Sequence, residues 1–303
     1  MSFYRTCLKK EILILENGKE KNNISQKFVA ASLPVRTVSA AVYAILLVGC
    51  LVSGGWSFLL FMAAASCLCL WEFIRILHLE GRTVKFLVWI LHIVSIVGMA
   101  SAWGYFPEVE LSGAPWVVLL PFLFMLFAAE LFRAKDDAVS QLGKAFLALV
   151  YVSVPFALSV AVPVIVSGGY DYRVILGVFV LIWSGDTFAY LFGISMGRHK
   201  LMERISPKKT VEGFLGGFIS TLAVGYVLSL VFPGTMDTAH WMAVAGIVAL
   251  FGVLGDLVES MFKRQAGIKD SGKIMPGHGG MLDRLDSFIM SIPFIYTYLY
   301  LFA

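Results

Sequence analysis

Long apolar runs recur from residue 37 to the end of this 303-residue chain, and they constrain its fold more than any other feature. Each run has roughly the 17–25 residues that an α-helix needs to cross a bilayer. The sequence therefore predicts an all-α polytopic integral membrane protein with about nine transmembrane helices. The nine runs lie at roughly 37–53, 55–73, 84–105, 115–132, 145–166, 174–195, 212–232, 241–259 and 286–303.

The basic residues alternate between the loops that separate these runs. Residues 1–36 contain seven Lys and Arg side chains, and 23 of the 24 in the chain lie in this tail or in every second loop after it. Since cytosolic loops hold the excess of Lys and Arg, the N-terminus is predicted to be cytosolic and the C-terminus to lie on the opposite side. The same pattern accounts for the net charge of +4 without a nucleic-acid partner.

Composition divides the chain into three regions. Residues 1–36 are predicted to be a cytosolic N-terminal tail, and residues 37–166 contain the first five spans with few charges. Residues 174–303 contain spans six to nine and are predicted to be the catalytic region. Two of its loops, 196–211 and 260–285, carry five basic residues each, and both are predicted to be cytosolic.

Two polar clusters precede the eighth span. Asp186 lies midway along the sixth run, where an ionisable side chain is by default a candidate functional residue; neutralisation by a neighbouring helix is the alternative. The stretch SPKKTVEG starts at Ser206. In it, Lys208 and Lys209 precede Thr210, which is predicted to cap the seventh helix. Lysines beside exposed helix amides favour a phosphate site, whereas an ordinary basic loop at the membrane interface has the same composition.

A third cluster spans the end of the eighth run and the start of the ninth. Asp256 and Glu259 are three residues apart and share a helix face, and Asp283 and Asp286 repeat that spacing. Carboxylates without Cys or paired His suit a hard cation such as Mg²⁺. Four basic residues and a glycine-rich turn lie between the two pairs, which favours a polyphosphate pocket over a solvated loop with capping aspartates. They are Lys263, Arg264, Lys269 and Lys273, and the turn at 276–280.

These motifs resemble the signature of the phosphatidate cytidylyltransferase family, whose members are also called CDP-diglyceride synthetases. The resemblance is strong over roughly 180–290, whereas the first half matches only as a hydrophobic multi-span region. It implies an integral membrane enzyme that uses CTP and phosphatidic acid to make CDP-diacylglycerol and pyrophosphate in phospholipid biosynthesis. The motifs are WSGDTFAY, SPKKTVEG, SMFKR at 260–264, KD at 269–270 and PGHGGMLDRLD at 276–286.

The resemblance also implies a metal centre at Asp256, Asp283 and Asp286, with Mg²⁺ and a monovalent companion such as K⁺. The spacing adds Glu259 to these expected metal ligands. The expected catalytic residues are Asp256, Asp283, Asp286, Lys263 and Arg264. The expected substrate-binding residues are Asp186, Ser206, Lys208, Lys209, Thr210, Lys269, Asp270, His278, Gly279, Gly280 and Arg284.

The predicted reaction needs no nucleophile from the protein. A phosphate monoester has a second pKa of about 6, so phosphatidic acid supplies an anionic oxygen at neutral pH. The protein must position two polyanions and stabilise the charge that develops on pyrophosphate, which metal and basic side chains can do. A site that joins a soluble nucleotide to a lipid headgroup is expected at helix ends, just inside the cytosolic face of a bacterial inner membrane.

Other functions remain open at this point. A lipid kinase that uses CTP to phosphorylate a polyprenol-type alcohol would also need CTP, Mg²⁺ and a membrane, but would release CDP. An ion or phosphate transporter would place polar groups near the midplane on paired broken helices, whereas here the charge is one-sided and lies in one half. A purely structural membrane protein would leave the third cluster unexplained. A homodimer is a further expectation about assembly.

Overall fold

A computed structural model describes residues 37–106, 116–133, 135–275 and 279–303, and these residues are largely helical. The all-α prediction is therefore confirmed, while the predicted tail 1–36 and His278 lie outside the described residues. A π-helical turn, Leu149–Ser153, joins the fifth helix to the sixth. The helices are α1 (Thr37–Val52), α2 (Gly55–Ile76), α3 (Arg82–Ala102), α4 (Trp116–Arg133), α5 (Ala138–Ala148), α6 (Val154–Ile165), α7 (Tyr172–Met196), α8 (Val211–Val231), α9 (Thr238–Gln265) and α10 (Leu282–Phe302).

Seven helical segments of the described chain are long and apolar enough to cross a membrane. They are α2, α3, the continuous segment from α5 to α6, and α7 to α10. The helix α1 is apolar but shorter. These segments agree with the predicted polytopic membrane protein. The count of nine spans stays a prediction.

Two helices of the second half extend beyond the predicted runs. The helix α9 continues through Gln265 instead of ending near residue 259, so the predicted loop 260–285 begins as helix. The helix α10 begins at Leu282 instead of 286. Hydropathy misses these turns because their polar side chains, Lys263 and Asp283 among them, face a cavity of the protein and not lipid.

The predicted loop 196–211 contains an antiparallel pair of short strands, β1 (Lys200–Met202) and β2 (Ser206–Thr210). The sequence analysis expected no strand, and a hairpin this short has too few alternating positions to give a strand pattern. Its second strand leads directly into α8. The hairpin therefore holds the lysines of the SPKKTVEG stretch at the N-terminal end of that helix.

Glycines let α7 and α8 approach each other closely. A Cβ on Gly216 would overlap the ring of Phe192, and one on Gly217 would press against Ala189. Small residues at such positions allow helix backbones to pack together where lipid gives no hydrophobic driving force. This contact places the polar ends of α7 and α8 side by side.

Aromatic contacts connect α10 to helices of both halves. The ring of Phe288 stacks on Phe179 of α7, with centroids 4.8 Å apart, and lies 6.1 Å from the ring of Phe156 of α6. Because Phe288 is fully buried, these contacts hold α10 between the two halves. The first turn of α10 therefore lies where helices of both halves meet.

Candidate active site

A cavity of ≈ 640 Å³ lies between the polar ends of α7, α8, α9 and α10. Six carboxylates and four basic side chains line it, so its formal charge is −2. That negative charge would repel the phosphates of a nucleoside triphosphate unless a cation bound as well. The acids are Asp186, Asp256, Glu259, Asp270, Asp283 and Asp286, and the basic residues are Lys208, Lys209, Lys263 and Arg284.

Three of these acids converge in the cavity. Asp256, Glu259 and Asp286 each offer a carboxylate oxygen, and the three oxygens lie within 4.8 Å of one another. Asp256 and Glu259 reach the cluster from adjacent turns of α9, as their spacing predicts. Gly255 makes room for the third, because a Cβ there would overlap the backbone of Asp286. We call Asp256, Glu259 and Asp286 the carboxylate triad.

The carboxylate triad fits a hard divalent cation. Oxygens bound to one Mg²⁺ at about 2.1 Å lie at most about 4.2 Å apart, so small side-chain rotations suffice. The oxygen Oε1 of Glu259 is buried and has no hydrogen-bond partner. A buried carboxylate oxygen without a donor is costly, and a bound cation would satisfy it.

Asp283 lies beside the carboxylate triad but has other partners. Its Oδ1 accepts a hydrogen bond from Nζ of Lys263 at 2.6 Å. Its Oδ2 accepts from the amide of Ser271 at 2.9 Å, the Ser271 hydroxyl at 3.0 Å and the Gly280 amide at 2.7 Å. Lys263 also donates to Oε2 of Glu259 at 2.7 Å. The structure thus brings three of the four predicted metal ligands together. The fourth, Asp283, instead binds Lys263 and the amides of the loop before α10.

Two lysines of the hairpin also line the cavity. Nζ of Lys209 lies 2.5 Å from Oδ2 of Asp256, and Lys208 lines the cavity beside it. Thr210 accepts a hydrogen bond from the Gly213 amide at 3.1 Å, which confirms the predicted cap of α8. The cap fixes the point at which β2 turns into α8, and with it the position of both lysines.

Several residues predicted to belong to the site do not line this cavity. Arg264 is exposed, and its Nη1 donates to the carbonyl of Ile268 at 3.4 Å. The Gly280 amide is used by Asp283, whereas the prediction assigned it to a phosphate. The predicted substrate-binding residues that are absent from the lining are Ser206, Lys269, Gly279 and Gly280, and those present are Asp186, Lys208, Lys209, Thr210, Asp270 and Arg284. Arg264, which was predicted to be catalytic, is also absent from the lining.

A carboxylate of the first half also reaches this region, and the sequence analysis missed it. Glu72 of α2 is buried and accepts hydrogen bonds from the hydroxyl of Ser271 at 2.8 Å and from the amides of Met281 at 3.1 Å and Leu282 at 2.9 Å. Glu72 stands inside the apolar run 55–73. An ionisable residue within a span is the signal that selected Asp186, and the same signal identifies Glu72.

Comparison with known proteins agrees with the motifs. The sequence matches the cytidylyltransferase family over residues 34–302. The phosphatidate cytidylyltransferase of Staphylococcus haemolyticus is 34% identical over 263 residues, which cover 87% of this chain and 97% of that protein. The same coverage holds for the phosphatidate cytidylyltransferases of Staphylococcus aureus, 34% identical over 273 residues, and of Staphylococcus epidermidis, 32% identical over 263 residues. The resemblance seen in the motifs is confirmed, and the chain belongs to the cytidylyltransferase family.

Proposed function

We propose that this protein transfers the cytidylyl group of CTP to phosphatidic acid, giving CDP-diacylglycerol and pyrophosphate. The observation that carries the proposal is the convergence of the carboxylate triad and of Lys208 and Lys209 on one cavity at the ends of membrane helices. The relatives that cover most of the chain are named for this reaction. The proposed substrates are CTP and phosphatidic acid, and the proposal includes no binding of nucleic acid.

The carboxylate triad would hold Mg²⁺ through Asp256, Glu259 and Asp286. The other carboxylates of the cavity would bind a monovalent companion such as K⁺. When bound, Mg²⁺ supplies positive charge that offsets the triphosphate and the pyrophosphate that leaves. Lys208 and Lys209 offer ammonium groups to the phosphates of CTP from the hairpin side. Arg284 can bind a phosphate through two parallel hydrogen bonds.

In the proposed reaction an oxygen of the phosphatidic acid phosphate bonds to the α-phosphorus of CTP. The bond between that phosphorus and the bridging oxygen of pyrophosphate breaks, and the electron pair leaves with pyrophosphate. No side chain has to act as nucleophile, since the phosphate monoester is already anionic at neutral pH. The protein orients the two phosphates and excludes water, which effectively makes the reaction intramolecular.

Two radioactive forms of CTP test this proposal against a CTP-dependent lipid kinase. Purified protein is incubated with phosphatidic acid in detergent micelles and CTP labelled at the α- or the γ-phosphorus, and lipid is separated from water. We expect α-label in the lipid phase and γ-label in aqueous pyrophosphate. A parallel incubation replaces phosphatidic acid with a polyprenol-type alcohol. Transfer of γ-label to that alcohol, without α-label in the lipid of the first incubation, would contradict the proposal and favour a kinase.

The proposal includes the membrane topology of the chain. We propose nine spans with the N-terminus in the cytosol, the C-terminus outside, and the cavity facing the cytosol of a bacterial inner membrane. The support is the alternation of basic loops: 196–211 and 260–285 carry five Lys and Arg each, whereas 233–240 carries none. We also keep the homodimer as a prediction, which light scattering of the solubilised protein tests.

Cysteine labelling in intact cells tests this topology. In a background without the four native cysteines, Ala239→Cys places a thiol at an exposed position before the core of α9, and Glu203→Cys places one in the exposed turn of the hairpin. We expect an impermeant thiol reagent to modify the Ala239 variant from outside, and the Glu203 variant only after the membrane is permeabilised. The reverse pattern would contradict the orientation and the cytosolic site.

A further inference from the structure

The carboxylate of Glu72 lies at the N-terminal end of α10, although Glu72 belongs to α2 in the other half of the chain. Its side chain is almost completely buried, with 1% of its surface exposed. It accepts hydrogen bonds from the amides of Met281 and Leu282 and from the hydroxyl of Ser271. Both carboxylate oxygens are therefore engaged, which offsets the cost of burying the charge.

The hydrogen bonds from Met281 and Leu282 replace a missing cap. The first amides of an α-helix have no partner within the helix and are usually satisfied by a nearby side chain of the same segment. No side chain of its own caps α10. A negative charge at a helix N-terminus is also favourable because of the helix dipole. Glu72 supplies both the acceptor and the charge from a different helix.

The loop before α10 is built closely around this carboxylate. A Cβ on Gly272 or on Gly280 would overlap the carboxylate of Glu72. The hydroxyl oxygen of Ser271 lies 2.8 Å from Glu72 and 3.0 Å from Asp283, and its single hydrogen is shared between the two carboxylates. The glycines of this loop thus make space for Glu72, and the contact transmits its position to the acid that holds Lys263.

We propose that Glu72 is a positioning residue for the carboxylate triad. By binding the first amides of α10 it sets the depth and rotation of that helix, and Asp286 lies one turn further along. A displaced α10 would move Asp286 away from Asp256 and Glu259 on α9. The role of Glu72 in catalysis rests on the proposed function. Its effect on the position of Asp286 can be tested without turnover, through the binding of Mg²⁺.

The variant Glu72→Gln tests the inference with almost no change in shape. One acceptor oxygen becomes an NH₂ group, which would face backbone amides that also donate. Residues that orient metal ligands typically affect metal affinity or activity by about 10–100-fold, so we expect the Mg²⁺ concentration for half-maximal turnover to rise by about that factor. The Mg²⁺ concentration that gives half of the thermal stabilisation, measured without substrates, should rise in parallel.

Glu80→Gln is the matched control. Glu80 lies in the connection directly after α2, is exposed, and accepts a hydrogen bond from Lys135 at 3.0 Å, which lowers the pKa of its carboxyl group. Its partners belong to α4, to the connection after α4 and to α5, and not to α10. We expect wild-type Mg²⁺ dependence in both measurements.

The outcomes separate positioning from a purely structural role. If Glu72→Gln lowers the melting temperature or the yield while the folded protein keeps the wild-type Mg²⁺ dependence, the inference is wrong. If Glu72→Gln does not fold, Glu72→Asp decides, because it keeps the negative charge and withdraws the carboxylate by one methylene from the amides of Met281 and Leu282. An unchanged Mg²⁺ dependence in Glu72→Asp would then overturn the inference. Absence of CDP-diacylglycerol in the wild type would instead overturn the proposed function, while the thermal measurement still tests Glu72.

Discussion

Glu130 of the first half and Glu259 of the second are both buried glutamates with a basic residue about one turn along the helix. Oε2 of Glu130 accepts from Nε of Arg133 at 2.7 Å, and Oε2 of Glu259 accepts from Lys263 at the same distance. The second oxygen of each is buried without a hydrogen-bond partner. Only Glu259 faces a cavity with two further carboxylates. An unsatisfied oxygen therefore marks a candidate ligand only where other acids converge on it.

The helices of the two halves also differ in how much of their surface is buried inside the protein. The most apolar parts of the first-half candidate spans are between 50% and 72% buried inside the protein, whereas those of α7 to α10 are between 28% and 44% buried. The first-half helices are covered mostly by the rest of the protein. The last four also pack closely on one another, but they surround a cavity and leave more of their outer faces exposed. Polar substitutions should therefore affect stability in the first half and turnover in the second.

The largest expected effect is the loss of turnover in Asp286→Asn. The change keeps the shape of the side chain but removes charge from the carboxylate triad. Removing one group that stabilises developing charge typically reduces the rate by about 10²–10³-fold, and we expect a loss of at least this size. The measurement is CDP-diacylglycerol formed per folded protein across a Mg²⁺ titration, with a monodisperse elution profile as the criterion for folding. A variant that keeps more than about a tenth of wild-type activity would exclude Asp286 as a metal ligand.

Much of this difference between the halves could be predicted from the sequence, because it depends on spacing within single helices. Asp256 and Glu259 share a face of α9, and Thr210 caps α8, since both features depend on residues three apart. The partners of Asp283 and the location of Arg264 outside the cavity could not be predicted. They depend on the path of the loop after α9 and on the crossing of α9 and α10, which hydropathy and spacing do not determine.

Glu72 shows where sequence reasoning could have gone further. A charged residue in the run 55–73 is visible in the sequence, but its partners lie about two hundred residues away. The first-half runs contain two acids, Glu72 and Glu130, and only the contacts of the folded chain distinguish their roles. The catalytic region at 174–303 stays a prediction, and α2 of the first half contributes to the structure beside it.

The second prediction concerns Glu130→Gln, paired with Glu259→Gln. Hydrogen bonds to charged groups are worth about 1.5–3 kcal/mol, so Glu130→Gln should reduce stability by up to that amount while turnover of the folded protein stays near wild type. Glu259→Gln should do the opposite and lower turnover much more than stability. Thermal unfolding in detergent and the product assay measure the two effects. A large loss of turnover in Glu130→Gln would break the comparison between the halves.

The smallest expected effect is that of Thr210→Ala. The Oγ1 of Thr210 accepts from the Gly213 amide, and replacing a capping Thr by Ala typically costs about 1 kcal/mol. Because Lys209 directly precedes the cap, we also expect a modest rise in KM for CTP with little change in kcat. Thermal unfolding and CTP titrations at saturating phosphatidic acid measure both quantities.

Thr210→Ser is the control, and it separates the cap from the packing of the same side chain. Serine keeps the oxygen that accepts from Gly213 and loses only the methyl group, which lies in the space that Gly197 leaves open. If the cap positions the hairpin, the serine variant should retain the wild-type KM for CTP, and alanine alone should raise it. If both variants raise KM equally, the contact of the methyl group with Gly197, just after α7, holds the hairpin in place. The position of Lys209 would then depend on the close approach of α7 and α8, and the second half would rely on packing as much as the first half does.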